Sequence, residues 1–137
     1  MSILKADALQ GKTAAGDIDV TSEGGAATMQ LQQGLAKMWC LWNQEGSVSI
    51  RDSFNAASLT DNGTGKGQVN FSSAMGNSTY SYAGHHSDVG GGYVTTVINN
   101  TSYQAVNSAT QFRVSMLNGD GYQDSKYCGY SVLGDLA

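Results

Sequence analysis

The chain has 137 residues, 40% of them apolar and 13% charged, with 18 glycines, no proline and a net charge of −4. That length allows one domain, or one domain with an arm, and so many apolar residues with so little charge exclude a disordered chain. Glycine without proline suits tight turns between short strands and argues against collagen-like or proline-rich linker structure. No lysine and arginine cluster is present to neutralise phosphates, so no nucleic-acid partner is expected. No apolar run approaches the ~20 residues of a spanning helix, so no membrane insertion is expected. No signal peptide is expected either, because no apolar stretch follows Lys5. The scarcity of charge suggests that partners cover part of the surface.

In chain order, residues 1–20 alternate weakly, with Ile3 and Leu9 on one side and Leu4 on the other, and Gly11 and Gly16 interrupt them. So few apolar residues build no core. The segment reads as an extended arm that orders against a partner or as a frayed leader, with a short strand at Asp17-Ile18-Asp19-Val20. Residues 28–38 give the one helix expected, because Leu31, Leu35 and Met38 fall at i, i+4 and i+7. Gly34 costs such a helix about 1 kcal/mol relative to alanine, and a segment this short does not persist alone. Its stripe needs cover, either from identical helices around a symmetry axis or from the chain's own sheet.

Residues 39–42 are almost wholly apolar and read as a strand buried on both faces. Asn43-Gln44-Glu45-Gly46 then turns the chain into a hairpin with residues 47–52, where Val48 and Ile50 alternate with polar neighbours. Phe54 and Leu59 bracket another strand. Asn62-Gly63 tolerates the positive φ of a sharp reversal, and Val69 and Phe71 alternate on the return. Further strands are expected at 78–83, 93–98, 102–106, 111–117 and 127–133. In these, Tyr80 and Tyr82 share a face, Phe112, Val114 and Met116 point inward, and Cys128, Tyr130 and Val132 point together. Residues 84–92 read as an aperiodic loop. This spacing of short strands predicts an all-β fold, an antiparallel, jelly-roll-like β-sandwich over residues 39–137, preceded at 1–38 by an arm and a short helix.

Chemistry-bearing residues are sparse. Cys40 and Cys128 fit no zinc or redox spacing. Two buried free thiols in a reducing cytoplasm are expected, with a disulfide between the Trp39 strand and the last strand as the alternative. His85-His86-Ser87-Asp88 gathers metal-ligand types, but adjacent strand residues face opposite ways. A threefold axis would be needed to collect one histidine from each chain, and a solvated loop is the simpler expectation. No metal or other cofactor is expected. Glu45, Asp52, Asp61, Asp88, Asp120 and Asp124 lie near turns, outside any nucleophile elbow, metal motif or EF-hand pattern, so no enzyme is expected. Tyrosine offers a flat apolar face with a polar tip. Tyr82, Tyr93 and Tyr122 lie beside loops and, with His85 and His86, form the candidate receptor-contacting set.

Residues 31–75, LQQGLAKMWCLWNQEGSVSIRDSFNAASLTDNGTGKGQVNFSSAM, carry a resemblance. Their Gly-Leu-Ala-Lys lead-in, tryptophan strand, Val-x-Ile-x-Asp-Ser-Phe-Asn run and Leu-Thr-Asp-Asn-Gly-Thr-Gly turn resemble a β-structured domain of tail-fibre and other appendage proteins of tailed bacteriophages. The closing run from Tyr130 to Asp135 and the two leaders, SILKADALQGKTAAGDIDV and TSEGGAATMQLQQ, are similar to the same proteins. The resemblance covers roughly half of the chain. It implies a structural protein of the virion, assembled in the host cytoplasm as a homotrimeric fibre or spike. The trimer interface is then expected at Leu31, Leu35, Met38 and Trp39. Attachment to other tail or capsid proteins is expected through Ile3, Leu4, Leu9 and Ile18, and host-surface glycan is a candidate ligand at loop tips. A capsid decoration or head-fibre protein and a free lectin-like carbohydrate-binding module are the alternatives.

Overall fold

The computed structural model describes residues 6–12, 14, 18–25, 27–31, 34–87, 95–97, 107–118 and 121–137. The chain divides into two compact units, Met1–Leu35 and Ala36–Ala137.

In the first unit, β1 (Asp19–Thr21) and β2 (Thr28–Gln30) pair antiparallel, with Val20 opposite Met29. The Ser22 and Gly25 amides close the connection, donating to the Ala27 and Ser22 carbonyls. Gly25 takes the positive φ of 70° that the turn requires. Both strands are exposed throughout.

The helix expected over residues 28–38 is replaced by strands. Thr28–Gln30 pairs with β1, and Ala36 opens β3 (Ala36–Asn43). Two periodicities compete at Met38. The helical stripe of Leu31, Leu35 and Met38 offers three residues on a segment that is unstable alone. The period-2 series Met38, Cys40 and Trp42 delivers three fully buried side chains to a core, and it prevails. Met38 is thus enclosed in its own domain, while Leu35 is exposed.

The second unit continues with β4 (Ser49–Phe54), β5 (Ala56–Asp61), β6 (Lys66–Phe71), β7 (Ser81–Ser87), β8 (Thr95–Val97), β9 (Gln111–Asn118), β10 (Gly121–Tyr122) and β11 (Tyr127–Leu133). One sheet runs β4-β3-β11-β7. The other runs β10-β9-β6-β5, with β8 also on β9. Every pairing is antiparallel.

The two sheets share one core. Met38, Cys40, Trp42, Cys128, Tyr130 and Val132 come from the first sheet, and Val69, Phe71, Phe112, Val114 and Met116 from the second. Phe112 meets Tyr130 at 5.6 Å and Tyr82 at 5.2 Å between ring centroids, so the inner faces interdigitate. The expected inward triplets in β9 and β11 are therefore the observed ones. β3 differs from its expectation, since its outer face is only partly covered and Leu41 points outward, 43% exposed.

The chain passes from the first sheet to the second at Asn55, between β4 and β5. Asn55 adopts φ 57°, a conformation asparagine tolerates better than most residues. Its side chain donates to the Lys37 and Ser73 carbonyls, each at 3.0 Å, and accepts from the Ser73 amide at 2.6 Å. A polar chain running from the core to the surface ties the sheets at another point. Trp42 Nε1–H donates to Gln44 Oε1 at 3.0 Å, Gln44 Nε2 donates to Asp61 Oδ1 at 3.2 Å, and Asp61 Oδ1 also accepts from the Gly63 amide. Two of the turn-proximal carboxylates thus act as structural acceptors, since Asp124 Oδ1 likewise accepts from the Gly65 amide at 2.7 Å.

The expected loop at 84–92 is corrected in its first part. Gly84 to Ser87 belongs to β7 and pairs with β11. Strand partners on β11 satisfy this backbone, and the glycine that suggested a loop is needed for space. A Cβ on Gly84 would lie 2.1 Å from Tyr130 Cδ1, so glycine lets the Tyr130 ring lie across β7. The rest of that loop and the strand expected at 102–106 lie outside the described residues.

Candidate functional site

The outer face of the β4-β3-β11-β7 sheet carries the candidate site. With Cys128, Tyr130 and Val132 turned inward, strand alternation turns Tyr127, Gly129, Ser131 and Leu133 outward. The register then sets Gly129 between Leu41 on β3 and His85 on β7. A Cβ on Gly129 would lie 2.8 Å from His85 Cε1 and 3.0 Å from Leu41 Cδ2. The two side chains lean over the glycine, which lies buried beneath them at the middle of a depression.

This depression has two parts that share Leu41 and His85. The open part, about 440 Å³, extends over Gly129 toward Ala83 and Ser131. The more enclosed part, about 140 Å³, lies toward Arg51 and Tyr127. Arg51 reaches it because of an irregularity in β4. Trp42 pairs with Ile50 and Leu41 with Asp52, so Arg51 is the extra residue of a bulge. Its guanidinium sits 4.7 Å from the Tyr127 ring centroid, and Nη2 donates to the Lys126 carbonyl at 3.2 Å. Lys126 Nζ lies 5.9 Å from the same ring. Two cations and a half-exposed tyrosine thus mark this end. The opposite end of the face is apolar. Trp39 is paired with Phe54, and Phe54 and Leu133 stand 51% and 37% exposed.

The structure separates most of the expected site residues. His85 faces the depression, whereas His86 is buried and shares a 2.8 Å hydrogen bond between Nδ1 and Ser125 Oγ. Tyr82 leans on Phe112 in the core, and Tyr122 lies on the other sheet beneath Lys66 Nζ, 4.7 Å from its ring centroid. Tyr93 lies outside the described residues. Of the expected interface residues, Leu31 and Leu35 belong to the first unit, Met38 is in the core, and Trp39 is on the outer face. Of the expected attachment residues, Leu9 is exposed, the Ile18 carbonyl accepts from the Leu31 amide, and Ile3 and Leu4 lie outside the described residues. Among the described residues, no three histidine, cysteine or acidic side chains gather to hold a metal.

Sequence reasoning missed Leu41, Arg51, Tyr127 and Gly129. The available signal was in the last strand. Once Cys128, Tyr130 and Val132 are placed inward, Tyr127 and Gly129 must share the outward face.

Cys40 and Cys128 are free and buried, and Cys128 Sγ lies 3.2 Å from Met116 Sδ. The alternative disulfide is therefore not formed. Burial pushes both thiols from the ordinary 9.0 up to about 12; for Cys128, nearby Asp124 adds to the rise and Arg51 opposes it. Burial likewise raises Tyr80 from 10.0 to about 12, with Tyr82 adding to the effect. Within those windows the folded state keeps protons that the unfolded chain has released. This stabilising contribution is complete below pH 9.0 and is lost as pH rises toward 12. Alkaline titration should therefore lower the melting temperature progressively above pH 9.0. Iodoacetamide near pH 8 should label both thiols only after denaturation. Rapid labelling of the native protein would contradict the enclosed thiols.

No family model, curated protein or solved structure matches the chain.

Proposed function

We propose that this protein is a structural subunit of a tailed-phage particle, a homotrimeric β-sandwich component of a tail fibre or spike that joins the virion through its amino-terminal unit. The observation that carries the reading is the apolar end of the outer sheet face. Phe54 and Leu133 stand exposed on the face that carries Trp39. Burial of such a patch yields about 25 cal/mol per Å² of apolar surface, and grouped exposed apolar side chains mark interaction surfaces. In a cyclic assembly this face meets neighbouring copies. The resemblance of residues 31–75 supplies both the phage setting and the number three. It favours a tail fibre or spike over a capsid decoration, the next reading within the particle.

The wild-type protein is expected to run as a trimer in light scattering at micromolar concentration, and to be recovered stoichiometrically with purified particles. Phe54→Ser combined with Leu133→Ser should give a folded monomer whose melting temperature is lower by the lost subunit contacts alone and does not depend on protein concentration. A wild-type monomer that does not co-purify with particles would end the proposal. Immunogold labelling on the capsid instead of the tail would move it to the capsid-decoration alternative.

A further inference from the structure

We propose that the Arg51 end of the outer-face depression binds a carboxylated sugar, a uronic-acid-type residue of a surface polysaccharide. This deepens the reading above. It rests on the tail-fibre or spike part of that reading, since such an appendage meets the host surface, and does not depend on the trimer contact.

Three observations converge. First, the cations at this end have no ion-pair partner among the described residues, although Asp124 and Glu45 act on the neighbouring Cys128. Arg51 contacts the Tyr127 ring and the Lys126 carbonyl, neither of which neutralises a guanidinium, and among the described residues no carboxylate pairs with Arg51 or Lys126. In a chain of net charge −4, two of its seven cationic side chains meet at one tyrosine. An extended polyanion would be repelled by the molecule as a whole, while a single carboxylate can meet the Arg51 guanidinium directly as a hydrogen-bonded pair. The planar donors of arginine also match a carboxylate better than an ammonium does.

Second, the lining suits a saccharide ring. Leu41, 43% exposed, is an apolar wall against which the C–H face of a pyranose can lie. His85 stands exposed in the same lining, where its ring nitrogens can hydrogen-bond to sugar hydroxyl groups.

Third, the shape fits a chain of rings better than an isolated ion. The enclosed part, about 140 Å³, is suited to a single ring. It opens into the wider part, about 440 Å³, along which neighbouring sugars continue. A bare phosphate would leave Leu41 and the open part unused.

The test uses the full chain and titration calorimetry or saturation-transfer NMR. The probes are an oligogalacturonate, the neutral galactose oligosaccharide of equal length, and inorganic phosphate. The oligogalacturonate should bind about tenfold or more tightly than the neutral oligosaccharide, as expected of a charge-assisted contact. Its affinity should fall when salt is raised to about 0.5 M. Arg51→Gln should abolish the preference, and Arg51→Lys should retain part of it. His85→Ala should weaken both saccharides. It serves as the second variant if Arg51→Gln loses its fold with the Tyr127 stack. Equal binding of charged and neutral oligosaccharides, unchanged binding by folded Arg51→Gln or by His85→Ala, phosphate binding tighter than the oligogalacturonate, or no saccharide binding at millimolar concentration would overturn the inference. Light scattering on the same samples separates the two claims. A trimer that binds no uronate sinks this inference alone, and a monomer that binds uronate sinks the trimer alone.

Discussion

Gly65→Ala should remove a large share of the stability of this protein. Gly65 ends the β5–β6 turn at φ 66°, and an added Cβ would lie 2.6 Å from both the Gln123 nitrogen and the Met116 oxygen. Those two atoms are hydrogen-bonded to each other at 3.1 Å, so the methyl group would wedge a backbone bond open. Gly65 also donates to Asp124 Oδ1 and accepts from the Met116 amide, each at 2.7 Å, and neither bond survives displacement of the turn. The left-handed backbone costs about 1–2 kcal/mol for a residue with a Cβ. Overpacking against rigid backbone adds about 1–3 kcal/mol, out of a total stability of about 5–15 kcal/mol. Gly46→Ala isolates the first of these contributions. Gly46 has a similar φ of 64° with nothing within 4 Å of the added Cβ. Urea denaturation should show a far larger loss for Gly65→Ala than for Gly46→Ala. Equal losses would mean that the close approach at Gly65 is unimportant.

Trp42→Ala should cost about 3–5 kcal/mol, the range for deletion of a fully buried large aromatic side chain. Trp42 has no exposed surface and stacks on Tyr130 with centroids 5.2 Å apart. It also begins the polar chain through Gln44 to Asp61 and the Gly63 amide. Trp42→Phe separates packing from that chain. Phenylalanine keeps much of the apolar contact but leaves buried Gln44 Oε1 without its indole donor, a loss of about 1–3 kcal/mol. Thermal unfolding of both variants checks the pair of values. If Trp42→Phe unfolds with the wild type, the chain contributes nothing beyond its geometry.

Alternation was the most legible part of the sequence. Phe112, Val114 and Met116, and then Cys128, Tyr130 and Val132, each show a buried face that period 2 alone identifies. The Asn62-Gly63 reversal and the turn after Trp42 were readable for a similar local reason, since turn chemistry sits in adjacent residues. Residues 28–38 misled because a three-residue helical stripe overlaps the start of a strand at Met38. The histidines misled because Gly84 signals a loop when glycine is there to admit the Tyr130 ring. The depression as a whole was not legible, although the last strand already put Tyr127 and Gly129 on one face. It needs the register of three strands to bring Leu41, Gly129 and His85 into one row, and a bulge to bring Arg51 to its end. Neither register nor bulge is written in any single stretch of the chain.

The pairing of β3 with β11 joins the first and last strands of the second unit. On a ribosome, the amino-terminal member of this pair emerges long before its partner has been translated. Until then β3 has β4 on one flank only, and its other flank is an open row of amides and carbonyls ready to recruit a β3 strand from a neighbouring nascent chain. Subunits made side by side on one message therefore face a choice between waiting and swapping. The long loop closure makes the wait slow. Production of this protein is then limited less by the stability of the finished fold than by how crowded its unfinished copies are.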